Sequence, residues 1–93
     1  MTVGILELLL HIPDAGSLKA KRKITLSIKD RIRRRFNVSL AETEGQNTWQ
    51  TCGLTIAMVA SQKTAIEREF AHILNLIDSV PEIEVMDQWV DFL

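Results

Sequence analysis

Apolar residues recur along this chain at two different periods, and the order in which the periods alternate restricts the fold more than any other feature. Residues 2–12 form an almost continuous apolar run, with Val3, Ile5, Leu6, Leu8, Leu9, Leu10 and Ile12. A run of that length without helix caps predicts a strand covered on much of both faces. Pro13 and Gly16 break it with turn chemistry. Ser17 then stands where an N-cap belongs, ahead of Leu18, Ile24, Ile28, Ile32 and Phe36. The spacing of four from Ile24 onward sets those side chains on one face of a helix reaching about Phe36. The period returns to two in a short strand over 38–43, with a polar turn at 44–47 containing Gly45. Residues 49–60 form a long strand in which Cys52, Leu54, Ile56 and Met58 alternate with Thr51, Gly53, Thr55 and Ala57. Ser61 or Thr64 caps a second helix, and Thr64 with Glu67 has the spacing of a capping box. The stripe of that helix is Ile66, Phe70, Ile73, Leu74 and Ile77, and Pro81 closes it. Residues 82–93 supply a last strand whose facing the pattern leaves open.

The order β-α-β-β-α-β is that of the split βαβ, ferredoxin-like arrangement, an α+β fold. Right-handed crossovers set both helices on one face of a four-stranded antiparallel sheet. The other face is left without a helix, and Val3, Ile5, Leu9, Ala57 and Val59 are expected there. Val3, Ile5 and Val59 are the candidates for a homodimer interface on it. Ninety-three residues support one core, so a single domain over 1–93 is expected.

Charge is distributed more tellingly than its total. The formal net charge is −1. Within 17–36, however, nine bases face only Asp30, whereas Lys63 and Arg68 are the sole bases among eleven acids elsewhere. Ordinary solvated helix faces mix signs to gain pairs three and four residues apart. Nine bases with one acid repel one another, and several crowd the first turns, the unfavourable end of the helix dipole. Such a face is expected to meet an external anion. Lys19, Arg22, Lys23, Lys29, Arg33 and Arg34 lie opposite Ile28 on a helical wheel, with Lys21, Arg31 and Arg35 flanking the apolar stripe. Lys19, Lys21, Arg22, Lys23, Lys29, Arg33 and Arg34 are the candidate nucleic-acid contacts, since clustered bases gain from counterion release on binding phosphates. Gly16, Ser17 and Lys19, at the helix start, are candidate phosphate ligands. The Gly-x4-Gly-Lys spacing of a P-loop is missing.

Catalysis finds little support, and no catalytic residue, cofactor or metal is expected. His11 and His72 are isolated, and no metal-ligand spacing stands out. Cys52 is the one cysteine and alternates onto the core side, so it should be buried and inert. A lone thiol, no apolar span of membrane length and no basic stretch before the first apolar run lead to the expectation of a cytoplasmic protein. The first strand lacks the aromatics of an RNA-recognition sheet, and the third has only Trp49 at its start. Trp49 and Trp89 are expected as core or interface anchors.

The segment SLKAKRKITLSIKDRIRRRFNVSLAE, Ser17 to Glu42, resembles the bacterial YlxP-like family in its Ser-Leu-Lys-x-Lys-Arg opening, Lys-Asp-Arg centre and Arg-Arg-Phe-Asn-Val-Ser close. The likeness extends to His11–Pro13 and to Gln46–Gln50 with Trp49. It implies a ferredoxin-like fold and a role near the ribosome, because the family's genes tend to lie among those of translation initiation and ribosome maturation. It supplies no catalytic residues. Some ferredoxin-like proteins are acyl-phosphate hydrolases that use an arginine in the first strand–helix loop, but residues 13–17 here read PDAGS. The leading expectation is a non-enzymatic accessory factor contacting ribosomal RNA or a precursor. The alternatives are a dimeric interaction module whose basic helix meets an acidic protein, and an enzyme acting on a phosphorylated small molecule.

Overall fold

A computed structural model describes residues 1–44 and 49–93. The turn expected around Gly45 lies outside them. Six elements follow one another: β1 (Thr2–His11), α1 (Leu18–Arg35), β2 (Ser39–Glu44), β3 (Thr51–Ala60), α2 (Lys63–Asp78) and β4 (Glu84–Phe92). The strands form one sheet in the order β2-β3-β1-β4, and every neighbouring pair is antiparallel. This is the ferredoxin-like arrangement expected from the periodicity.

Alternation along the strands sorts the side chains. Leu6, Leu8 and Leu10 of β1 and Cys52, Leu54 and Ile56 of β3 are buried beneath the helices. They meet Ile28 and Ile32 of α1 and Ile66, Phe70, Ile73, Leu76 and Ile77 of α2 in one core. Fully burying one such aliphatic side chain is worth about 1.5–3 kcal/mol. Gly4 lets α2 approach β1 closely. A Cβ there would lie 2.5 Å from Cγ2 of Ile66 and 3.2 Å from the Phe92 ring.

Ser17 caps α1 as expected, its Oγ accepting from the Ala20 N–H at 3.1 Å. The second helix differs. Its N-cap is Gln62, without a side-chain cap bond. Ser61 precedes the cap position and Thr64 already lies inside the helix, so neither hydroxyl is placed to cap it and the expected box does not form. α2 ends at Asp78, where the Ser79 hydroxyl donates to the Leu76 carbonyl at 2.6 Å, with Pro81 beyond.

The facing of β4 is set by a register shift between Leu9 and Leu10 of β1. On one side of it Val85 pairs with Leu10, and on the other Val90 pairs with Leu6 and Phe92 with Gly4. Directly paired residues share a face. The helix-side positions of β4 are therefore odd-numbered before the shift and even-numbered after it, and Asp87, Trp89 and Asp91 fall on the open face opposite Leu9, Glu7 and Ile5.

Candidate nucleic-acid interface

α1 carries the basic cluster, and its packing decides which bases reach solvent. Its buried face is formed by Lys21, Thr25, Ile28 and Ile32. Lys19, Arg22, Lys23, Arg33, Arg34 and Arg35 are exposed, and Arg31 is partly so. Among the described residues, none of these seven has a carboxylate within ion-pair distance. The Arg33 guanidinium donates to the Leu40 carbonyl at 3.2 Å, which leans that side chain toward β2. Leu26 stands among the exposed bases at 56% exposure. Arg31 and Arg35 turn toward α2, lining grooves there with Ser79, His72 and Asn75.

Lys21 corrects the sequence reading. Expected as a surface contact flanking the stripe, it is 1% exposed. It stands seven residues, about two helical turns, before Ile28, which brings it to the middle of the buried face. Its Nζ is 4.0 Å from Glu42 on β2, and the Lys29 Nζ donates to the same carboxylate at 3.2 Å. Lys29, at 14% side-chain exposure, is largely committed to that pair as well. The bases of this helix that reach solvent are the other seven. Glu42 had no visible role in the sequence, because the spacing within β2 cannot show which helix crosses over it.

Cys52 adjoins this cluster. It is fully buried, and burial first, then the Glu42 carboxylate, pushes its thiol up to about 12, while Lys21 and Lys29 act in the opposite direction. That is the buried cysteine expected from the alternation.

At the start of α1, Gly16 and Lys19 are exposed and Ser17 is partly buried. The Ser17 hydroxyl is already bonded to Ala20, so one amide of the helix terminus is taken from any phosphate. The structure brings Val3, Ile5 and Val59 together on the open sheet face, where Val3 pairs with Val59 and Ile5 with Ala57. Trp49 and Trp89 are 52% and 51% exposed, so neither is a core anchor. His11 pairs with Glu84 at 3.2 Å beside the same face. Among the described residues no three His, Cys, Asp or Glu side chains converge as a metal site requires, and no helix is long and apolar enough to cross a membrane.

A designed protein, "De novo designed protein Foldit4", matches the backbone with a TM-score of 0.59 at 16% identity, covering 100% of this chain and 97% of that one. At that identity the likeness concerns the fold alone. The "Uncharacterized protein YlxP" of Bacillus subtilis (strain 168) is 44% identical over 82 residues, which cover 88% of this chain and 89% of that protein. The family described as "Protein of unknown function (DUF503)" matches residues 3–89. With its family match spanning nearly all six elements and its relative aligned over most of both chains, this protein belongs to the YlxP-like family of unknown function, DUF503.

Proposed function

We propose that this protein is a non-enzymatic accessory factor that contacts RNA through the exposed face of α1, acting on ribosomal RNA or one of its precursors. The observation that supports this most is the run of exposed bases from Lys19 to Arg35 without a described carboxylate partner. Six exposed like charges on one helix raise its energy until an anion arrives. Phosphates answer that demand, releasing the counterions condensed on the nucleic acid. Lys19, Arg22, Lys23, Arg33 and Arg34 are the proposed contacts, with Leu26 available to a ribose or base edge. Contacts of this kind fix position and carry little sequence information, so selectivity comes from RNA shape or from a protein partner.

Direct binding of purified protein to ribosomal RNA fragments tests the reading. A footprint of about five phosphates gives a log–log salt slope of roughly −4 on duplex-like RNA and less on single strands. Replacing Arg22, Lys23, Arg33 and Arg34 together by Ala weakens binding to all sequences alike and flattens that slope. The fold survives, since these four side chains are exposed, with the Arg33–Leu40 bond costing about 0.5–1.5 kcal/mol. A wild type that ignores RNA at low salt, or a four-site variant that binds equally well, would replace this reading with docking on an acidic protein.

A further inference from the structure

The sheet face away from the helices has the opposite character from α1. Glu7, Glu84, Asp87 and Asp91 lie on it, and every Lys and Arg of the chain belongs to a helix instead. Between the carboxylates run Val3, Ile5 and Leu9 of β1 and Val59 of β3. Leu9 pairs with Gly53, and the missing side chain at Gly53 leaves a cleft in the middle of the sheet. Trp89, Glu7, Thr43 and Thr55 line this cleft, and the two threonine hydroxyls lie 3.2 Å apart.

The chemistry of the lining points to one kind of guest. An indole, a carboxylate and two hydroxyl oxygens all favour a cation, and none of the described lining side chains is basic. A guanidinium suits such a site better than an ammonium, because its plane stacks on the indole while its edge donates to the carboxylate. The apolar residues around the cleft would cover the aliphatic parts of an extended segment. A second copy paired face to face is a poor occupant, since it would set the carboxylates of one copy against those of the other.

We propose that this open face docks a basic segment of another protein, and that the Trp89 cleft receives an arginine side chain from it. This surface is separate from the RNA-contacting helix and stands or falls independently of it.

The test uses a fluorescently labelled synthetic peptide in which arginine alternates with valine, and a matched peptide carrying citrulline, which keeps the shape and removes the charge. Anisotropy should show saturable binding of the arginine peptide, with the citrulline peptide weaker by about tenfold or more. Glu7→Gln and Trp89→Leu should each weaken the arginine peptide by a similar factor, while Glu67→Gln on α2, a loss of equal charge elsewhere, should not. In a Trp49→Phe background the emission of Trp89 should change on binding. RNA affinity should be the same in Glu7→Gln as in wild type. Equal binding of the citrulline peptide, or no effect of either cleft variant, overturns the proposal. Displacement of the peptide by spermidine over the same concentration range would reassign the cleft to free polyamines. Concentration-dependent light scattering that grows in Glu7→Gln, as relief of repulsion between facing carboxylates requires, would reassign the face to a second copy of this chain.

Discussion

Lys21 is sealed from water, so its charge depends on what the fold puts beside it. Removing Glu42 would take a carboxylate away from that buried ammonium, and breaking a buried ion pair costs about 3–5 kcal/mol. Replacing Lys21 by Met instead keeps the packed volume and leaves Glu42 bonded to Lys29, so the loss should be smaller, about 1–2 kcal/mol. Urea unfolding midpoints should rank Glu42→Ala well below Lys21→Met; the reverse order would show that the pair does not carry the charge of Lys21. Cys52 offers a check from the alkaline side. Its folded thiol titrates near 12, above its ordinary 9.0, so the folded state holds the proton that the unfolded state gives up. A raised pKa of this kind contributes stability that is whole below about pH 9 and is lost as pH climbs toward about 12. Cys52→Ala should be less stable at neutral pH and should lose less between those limits, as read by urea unfolding across the alkaline range. In the native protein Cys52 should also label with thiol reagents only as fast as the chain unfolds. Rapid labelling of the folded state would contradict its burial.

At the scale of the elements, Gly4 sets how closely α2 lies on β1. Gly4→Ala should destabilise by about 1–3 kcal/mol, because the stiff branched side chain of Ile66 must yield to the new methyl, and the melting temperature should fall accordingly. An unchanged melting temperature would mean that α2 can shift at no cost. The six elements and their order were legible because each keeps one period long enough to register. Four features were not. Lys21 counts as polar in any hydrophobic pattern, although its seven-residue separation from Ile28 placed it on the buried face. Its partner Glu42 belongs to another element and becomes visible only when α1 crosses β2. In β4 the register shift changes which parity faces the helices, so a strict alternation through Ile83, Val85, Val90 and Phe92 never forms. That break concealed which face Trp89 takes, and with it the open-face cleft. The cap of α2 was misplaced for a local reason: capping side chains are present on both sides of Gln62 but not at it.

Seen whole, the molecule keeps every Lys and Arg in the helix layer, and among the described residues Glu7, Glu84, Asp87 and Asp91 lie on the bare side of the sheet. Its extents are 42 × 20 × 18 Å, so the layers lie back to back across a thin dimension and leave two surfaces of different charge accessible at once. The sheet order has a further consequence for how such a chain comes into being. β1 is translated before the other strands, yet it lies in the interior of the sheet, bonded to β3 on one side and β4 on the other. While the ribosome works through the sequence between them, the leucine-rich first strand has neither lateral neighbour. Its backbone amides and carbonyls stay exposed as a template to which any passing strand could add. β3 shields one flank midway through synthesis, and the other stays open until β4 has left the exit tunnel. The nascent chain thus carries its stickiest segment longest, and a stall before β4 would release a product that lacks the strand needed to close the second flank.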